Sequence, residues 1–237
     1  MIVREELRNK IRKRFERFLR ERAKTIMKLH VQNLNINPFL MKLLAKEMGL
    51  TGPREIVRWL VQQRLERGTV TSFGKVLEDT AKIFSEATAV EGADIMTTRN
   101  GRHNYMQVKS GPNTVPKDLA VRITQLLESA RRRNRGSVVW FGMCYGNPEQ
   151  VSSIVKKYVS IDFIIGRKFW EFISGDPNCI DEIFEIADEV SNTFRGPEGK
   201  SLRQNTNEKL AEIEREFAEL YGSNSKIMWE NLLKYNS

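Results

Sequence analysis

The sequence is poor in the residues that build disulfide frameworks and zinc sites. It has two cysteines and two histidines in 237 residues. Cys144 and Cys179 form neither a Cys-x-x-Cys pair nor a zinc-ligand cluster, so we interpret both as buried thiols. His30 and His103 are too few to support a histidine-based hydrolytic site. Any metal used in hydrolysis must therefore be held by oxygen ligands.

Long apolar runs are also missing. No stretch reaches the roughly 18 apolar residues of a membrane-spanning helix, and the N-terminus lacks the apolar segment of a signal peptide. We therefore expect a cytoplasmic protein with no membrane partner.

Positive charge is in excess. Lysine and arginine number 39 against 30 aspartate and glutamate, which gives a net charge of +9 and a pI near 9.6. Residues 1–24 alone hold ten basic residues and four glutamates. This balance favours a polyanionic partner, although charge alone does not distinguish a nucleic acid from a membrane surface.

The spacing of apolar residues predicts a helical front part. From Leu7 onward they recur at helical spacing between arginines and lysines, which indicates a long basic helix. Further helices are predicted over about 39–48, 53–67 and 72–86. A chain of this length can form one α/β core with helical additions. We predict three regions: a basic helical region (1–70), an α/β core (71–195) and a C-terminal helical extension (196–237).

A β-hairpin is predicted in the middle of the chain. Strand-like residues 94–98 and 103–109 flank Asn100-Gly101, which favours a two-residue turn. In that register paired residue numbers sum to 201, so Asp94 lies opposite Gln107. Lys109 shares their face because side chains alternate along a strand. The hairpin thus predicts a carboxylate, an amide and an ammonium on one face.

The elements after the hairpin complete an α/β pattern. A helix is predicted from about Pro116 to Arg133, and the apolar runs 137–145 and 160–166 have the length of buried strands. Helices are expected over 169–194, 207–221 and 226–235. The runs 137–145 and 160–166 would extend the hairpin into a mixed sheet.

Asp94 followed by Gln107-Val108-Lys109 resembles the signature of the PD-(D/E)XK nuclease superfamily. The upstream segment Gly74-Lys75-Val76-Leu77-Glu78 resembles the helix that often supplies a glutamate to that site. The resemblance covers about residues 72–166 and implies a restriction-endonuclease-like α/β fold, with a central mixed β-sheet flanked by helices. It also implies metal-dependent hydrolysis of double-stranded DNA, with 5′-phosphate products.

The resemblance assigns roles to the site residues. Asp94 would anchor Mg²⁺, for which Mn²⁺ is an expected substitute. Gln107 and Glu78 would complete the oxygen shell, and Lys109 would position the attacking water. The superfamily usually has an acid where this chain has Gln107. Glu78 or Glu91 could supply the missing charge, and we favour Glu78.

Within the superfamily, a type II restriction endonuclease is the preferred interpretation. Such an enzyme would act as a homodimer on a near-palindromic site, with a cognate DNA methyltransferase encoded nearby. Residues 167–177, with Phe169, Trp170 and Phe172, resemble a stretch in restriction enzymes that read GGNCC-like sites. The same segment also suits a core or dimer contact.

The resemblance makes region 71–195 the catalytic core, and it gives the basic region 1–70 a role in DNA contact or dimerisation. Two groups of residues are further candidates for DNA contact. The first follows the signature lysine and continues into the next helix: Ser110, Asn113, Thr114 and Lys117. The second ends that helix: Arg131, Arg132 and Arg133. Both could bind phosphates. For residues 110–114 we favour an ordinary loop. For the arginine run, a helix end favoured by the macrodipole is an equally good explanation.

Two alternatives remain open. One is a repair, junction-resolving or modification-dependent nuclease of the same superfamily, and Gln107 encourages the last of these. The other is a DNA-binding protein without catalysis, which would use the basic front helix and a helix-turn-helix-like stretch near residues 44–50.

Overall fold

The computed structural model describes residues 2–87 and 89–237, with the backbone alone for residues 2–4. These residues form two compact units. Unit 1 comprises residues 2–16 and 72–193, and unit 2 comprises residues 17–71 and 194–237. The compact units group the chain differently from the three predicted regions, because the basic region 1–70 contributes to both. The functional roles of those regions stay predictions.

Within the described residues the chain forms nine α-helices and four β-strands. In chain order they are α1 (Ile2–Met27), α2 (Pro38–Leu44), α3 (Pro53–Ala81), β1 (Ile95–Arg99), β2 (Arg102–Lys109), α4 (Lys117–Arg133), β3 (Val138–Met143), α5 (Ser153–Tyr158), β4 (Phe163–Ile165), α6 (Arg167–Ser174), α7 (Cys179–Thr193), α8 (Leu202–Tyr221) and α9 (Ser225–Tyr235). None of the described helices has the length and apolar character needed to cross a membrane.

The described strands form one mixed sheet in the order β1-β2-β3-β4. β1 and β2 are antiparallel, whereas β2, β3 and β4 run parallel. Arg99 pairs with Arg102, as the predicted register requires. Asn100 and Gly101 both have positive φ, 51° and 70°, which suits a tight hairpin turn. The predicted α/β fold with a central mixed sheet is therefore confirmed.

Unit 1 is built around this sheet. α4 connects the parallel strands β2 and β3 and packs against both. Its buried face repeats at helical spacing, and the strands present large apolar residues to the same core. Core residues include Tyr105, Ile123, Leu127, Phe141, Met143 and Ile165. This packing fixes the ends of β2 and β3 in space.

Unit 2 has a separate helical core. α2, the first half of α3, α8 and α9 supply its apolar side chains, which include Met41, Ile56, Leu60, Phe217, Met228 and Leu232. These residues are almost completely buried. Unit 2 therefore has a hydrophobic core of its own.

The helix α3 corrects two predictions. The sequence predicts separate helices over 53–67 and 72–86, but one helix runs from 53 to 81. The hydroxyl groups of Thr69 and Thr71 donate to the carbonyls of Leu65 (2.7 Å) and Arg67 (3.0 Å), inside the helix. Residues that favour turns in isolation are thus accommodated in the helix. A 3-10 turn then covers residues 82–84.

Two arginines of the basic front helix α1 form ion pairs within unit 1. Arg8 donates to the carboxylate of Glu189 on α7 at 2.9 Å, and Arg12 binds the same carboxylate. The acidic stretch on α7 thus offsets two of the arginines that the sequence suggests for DNA contact. If residues 1–70 contact DNA as predicted, basic residues other than Arg8 and Arg12 are the candidates.

Glu86 ties the segment before the hairpin to the edge strand β1. Its carboxylate accepts hydrogen bonds from the Thr97 hydroxyl (2.7 Å), the Thr98 backbone N–H (2.8 Å) and the Arg99 guanidinium (2.8 Å). The Thr97 bond is the largest of the effects that lower the pKa of Glu86 to about 2.

This lowered pKa predicts acid sensitivity. The ionised carboxylate is favoured by the folded state, so its stabilisation is complete above the ordinary pKa of 4.5 and is lost as pH falls toward about 2. We expect Glu86→Gln to lower the melting temperature at neutral pH. The difference in melting temperature between the variant and wild type should shrink as pH falls from 4.5 toward about 2. Thermal unfolding across pH measures it. Glu149→Gln, on an exposed turn, is the control, and a gap that stays constant with pH would contradict the assignment.

Candidate active site

The hairpin brings Asp94 and Gln107 into contact. Asp94 lies directly before β1, and its backbone N–H donates to the Met106 carbonyl at 2.6 Å. The Gln107 amide donates to Asp94 Oδ2, and the Val108 backbone N–H donates to the same oxygen at 2.9 Å. Both side chains are half-buried. The orientation of the Asp94 carboxylate is therefore fixed by β2.

Glu78 reaches the end of β2 from the helix α3. Its Oε1 accepts a hydrogen bond from the Ser110 backbone N–H at 3.0 Å, directly after Lys109. One turn earlier, Gly74 lies against Ser110. A Cβ atom at Gly74 would come within 2.8 Å of Ser110 Oγ. The absence of a side chain at Gly74 allows this close approach and places Glu78 beside the signature strand.

Lys109 is the last residue of β2 and is half-buried. In the sheet it pairs with Met143, and its carbonyl accepts from the Cys144 backbone N–H at 3.0 Å. Over residues 2–87 and 89–237 its ammonium makes no ion pair or side-chain hydrogen bond. The ammonium can therefore bind a ligand without first breaking a protein contact.

The site has a negative local potential in a basic chain. Burial raises the pKa of the Cys144 thiol, and the charges of Glu78 and Asp94 raise it further. A hydrogen bond to Asp79 raises the pKa of Lys75, and Glu78 and Asp94 add to that shift. Two carboxylates therefore act on the same small region, which favours a bound cation.

Glu91 is engaged elsewhere. Its carboxylate pairs with Arg133 at 2.9 Å, and its side chain is 80% exposed. As a third oxygen donor at the hairpin it would first have to leave this ion pair. Of the two acids proposed to compensate for Gln107, Glu78 is the one that the structure brings to the hairpin.

A convergence of acidic and histidine ligands occurs in unit 2. Among the described residues, His30, Glu212 and Glu216 are the one trio of such ligands whose donor atoms lie within 4.8 Å of one another. Glu216 already accepts from His30 Nδ1 (2.7 Å) and from the Val31 N–H (2.9 Å), and Glu212 binds Lys209 at 2.8 Å. These contacts account for the trio as a structural network. The hairpin site, in contrast, combines two carboxylates with an amide.

The loop after Lys109 is partly committed to structural contacts. The Ser110 backbone N–H is used by Glu78, and Ser110 is buried. The Thr114 hydroxyl donates to a loop carbonyl at 2.9 Å. Asn113 and Lys117 are exposed, and the Lys117 ammonium lies 5.0 Å from the ring centre of Tyr158. Of the predicted contacts in this segment, Asn113 and Lys117 are the best placed to meet an external phosphate.

In the arginine run at the end of α4, some side chains are also committed to structural contacts and others are not. Arg131 binds Glu128 at 2.8 and 2.9 Å, and Arg133 binds Glu91. Arg132 is exposed and makes no such contact within the described part of the chain. Arg131 and Arg133 would therefore have to break their ion pairs with glutamate before they could bind a DNA phosphate.

The aromatic segment 167–177 serves the core. Phe169 and Trp170 on α6 are buried, and the Trp170 indole donates to the Cys144 carbonyl at 2.7 Å. This hydrogen bond holds the chain directly after β3, beside the candidate site. The burial of Phe169 and Trp170 agrees with the interpretation of this segment as a core contact.

Lys82 is a site residue that sequence reasoning missed. Its ammonium lies 3.0 Å from Asp94 Oδ1. A signal was available, because Lys82 follows Glu78 by four residues, the spacing that places side chains on the same helix face. That spacing relates Lys82 to Glu78 only, and the contact of Lys82 with Asp94 comes from the tertiary structure.

A family model described as the type II restriction endonuclease EcoO109I matches residues 5–193. The chain belongs to this family. It is therefore a restriction endonuclease, a hydrolase that acts on DNA, and the alternative of a DNA-binding protein without catalysis is wrong. A search of curated proteins gave no match.

The match to the EcoO109I family contains every residue of the candidate site. It stops before the C-terminal extension, of which α8 and α9 are the helices. Type II restriction endonucleases generally use divalent metal ions. A cation site on the hairpin agrees with that general property.

The close approach at Gly74 can be tested by stability. In Gly74→Ala the new Cβ meets the Ser110 side chain, so we expect the free energy of unfolding to fall by about 1–2 kcal/mol. Ser110→Gly removes that obstacle. The double variant should recover most of the loss in urea unfolding. An alanine variant at least as stable as wild type, with no coupling to residue 110, would show that helix and strand are not in contact here.

Proposed function

We propose that this EcoO109I-family chain is a PD-(D/E)XK nuclease that cuts double-stranded DNA at a specific, short, near-palindromic site and leaves 5′-phosphate ends. The observation that supports this most is the contact of Asp94 and Gln107 across the hairpin. Lys109 follows two residues later on the same strand. Oxygen donors and an ammonium therefore share one sheet face, where a phosphate can approach.

We further propose that the cation is Mg²⁺, with Mn²⁺ as a substitute. The carboxylates of Asp94 and Glu78 and the amide oxygen of Gln107 form an all-oxygen donor set, which fits a hard divalent cation. Gln107 donates through its amide nitrogen to Asp94, so its oxygen remains available. When bound, the metal supplies an activated water and stabilises charge on the phosphate.

The residues of the chain prepare the site for this chemistry. β2 holds the Asp94 carboxylate through two hydrogen bonds, so the carboxylate itself needs little reorientation on binding. Lys109 would orient the attacking water and offset the charge on the scissile phosphate through its ammonium. Because that ammonium has no partner in the described part of the chain, the phosphate has no carboxylate to displace.

A near-palindromic DNA site has two-fold symmetry, which a two-fold symmetric enzyme can match. We propose that the chain acts as a homodimer, in which each copy cuts one strand. A DNA methyltransferase encoded nearby would protect the host DNA. Among the exposed candidates for holding the DNA backbone, Asn113, Lys117 and Arg132 make no side-chain hydrogen bond or ion pair within the described residues.

Gln107 supports a second candidate function, cleavage directed by DNA modification. The two functions give opposite results with one plasmid prepared in methylated and unmethylated forms. Discrete fragments from the unmethylated plasmid alone support restriction, and fragments from the methylated plasmid alone support the second candidate.

The assignment of Lys109 predicts a separation of cutting from binding. Lys109→Ala should lower the rate of Mg²⁺-dependent cleavage at least about a hundredfold, because it removes the group that orients water. The affinity for duplex DNA in EDTA should stay within about threefold, because one contact of many is lost. Single-turnover cleavage and fluorescence anisotropy measure the two quantities.

Lys157→Ala is the matched control. Lys157 is an exposed lysine in the same unit, with its ammonium 5.4 Å from the ring centre of Tyr158. It should cut at the wild-type rate. Normal cleavage by Lys109→Ala would rule out the hairpin as the catalytic site.

A further inference from the structure

Lys82 lies between two carboxylates at the edge of the candidate site. Its ammonium is 3.0 Å from Asp94 Oδ1 and 3.9 Å from Asp79 Oδ1. The side chain is 35% exposed, so it has room to move. Lys75 binds the same Asp79 oxygen at 2.9 Å. Asp79 is thus a second acceptor within reach of Lys82.

The contacts of Asp94 leave one oxygen for a cation. Oδ2 accepts from Gln107 and from the Val108 N–H, so it is already used by β2. Oδ1 is the oxygen that Lys82 holds. A divalent cation on Oδ1 would face an ammonium at contact distance, and like charges at that distance repel strongly in a half-buried site. Cation binding therefore requires Lys82 to leave.

We propose that Lys82 is a positioning residue that neutralises Asp94 in the metal-free protein and moves to Asp79 when the divalent cation binds. The inference rests on the proposed role of Asp94 as a metal ligand. Before the cation binds, the ion pair of Lys82 with Asp94 would keep the acidic site compact. The same lysine would then compete with the metal and lower its affinity.

The proposal predicts that removing Lys82 tightens metal binding. Lys82→Met should bind Mn²⁺ about fivefold more tightly than wild type in the absence of DNA, because a competing ion pair is lost. Isothermal titration calorimetry with Mn²⁺ measures this. Lys75→Met is the matched control: it removes the same charge from the preceding helix α3, and Lys75 forms its ion pair with Asp79 and not with Asp94. Its affinity should change less than about twofold.

The role of Asp79 is tested by a double-mutant cycle. Asp79→Asn should weaken Mn²⁺ binding more in wild type than in Lys82→Met, because the amide no longer receives the displaced ammonium. Equal effects in the two backgrounds would overturn the transfer to Asp79. Unchanged or weaker binding by Lys82→Met, or equal tightening by Lys75→Met, would overturn the competition.

Asp94→Asn separates this inference from the proposed function. If this variant binds Mn²⁺ as wild type does, the proposed metal site itself is wrong. If it loses Mn²⁺ binding while Lys82→Met shows no tightening, the metal site stands and the role of Lys82 is wrong.

A second inference rests on independent observations in unit 2. Residues 17–71 hold eleven lysines and arginines and four glutamates, a net charge of +7 out of the chain's +9. Unit 2 also has a cavity of about 320 Å³. Its polar wall consists of Asn33, Asn35, Asn37, Gln63, Arg64 and Arg67. Half-buried Trp59 also lines it.

The arginines at this cavity lack counter-charges. Within the described residues, Arg64 and Arg67 pair with no carboxylate. Nearby Arg22 is buried with a single hydrogen bond, to the Leu65 carbonyl at 3.1 Å. Burial lowers the pKa of Arg22, and the charge of Arg64 lowers it further. Cations held together without an anion favour an external anionic ligand.

We infer that this cavity binds the phosphate backbone of the DNA substrate. Arginine guanidinium and side-chain amide groups are the donors that proteins direct to DNA phosphates. The inference uses the family's action on DNA and does not depend on which residues cut.

The test is DNA affinity as a function of salt. In EDTA, Arg64→Gln/Arg67→Gln should bind a fluorescein-labelled duplex at least tenfold more weakly than wild type, and the slope of log K against log salt should fall by about two. Arg58→Gln is the control, because Arg58 lies on the same helix but near Glu214, at 3.7 Å. Its affinity should stay within about twofold of wild type. Equal affinity of the control and the double variant would overturn the inference, whatever the cleavage assays show.

Discussion

The candidate site depends on one constraint, the hold that β2 has on the Asp94 carboxylate. That hold requires the Asn100-Gly101 turn, which sets Asp94 against Gln107 and Val108. A slip of one residue in the hairpin would turn Gln107 to the opposite face of the sheet. The local geometry of the site therefore follows from a turn six residues away along each strand, and not from the site residues alone.

The distribution of charge separates two tasks within the chain. Burial raises the pKa of Cys144 and a hydrogen bond to Asp79 raises that of Lys75, and Glu78 and Asp94 add to both shifts, so the two acids form a negative centre. The net positive charge resides mainly in residues 17–71, whereas Arg8 and Arg12 are offset by Glu189. A restriction endonuclease must attract both a metal cation and a polyanion. Placing the two attractions on different segments keeps them from cancelling.

The sequence predicted the parts of the fold that local chemistry decides. The hairpin register followed from the turn residues, and α4 followed from its apolar periodicity. The continuity of α3 was missed, because the hydroxyls of Thr69 and Thr71 are satisfied inside the helix. The pairing of Glu91 with Arg133 and of Lys82 with Asp94 joins residues far apart in sequence or in separate elements. Periodicity cannot supply such tertiary pairs.

The contacts of Glu86 also have a consequence for assembly. β1 is an edge strand, yet its outward Thr98 N–H is capped by Glu86, and its Met96 N–H is capped by the Ser85 hydroxyl at 3.0 Å. An edge whose donors are already used cannot recruit a strand from another molecule. Two copies of the protein are thereby prevented from joining their sheets along β1 into one continuous sheet, which guards the hairpin against edge-to-edge aggregation.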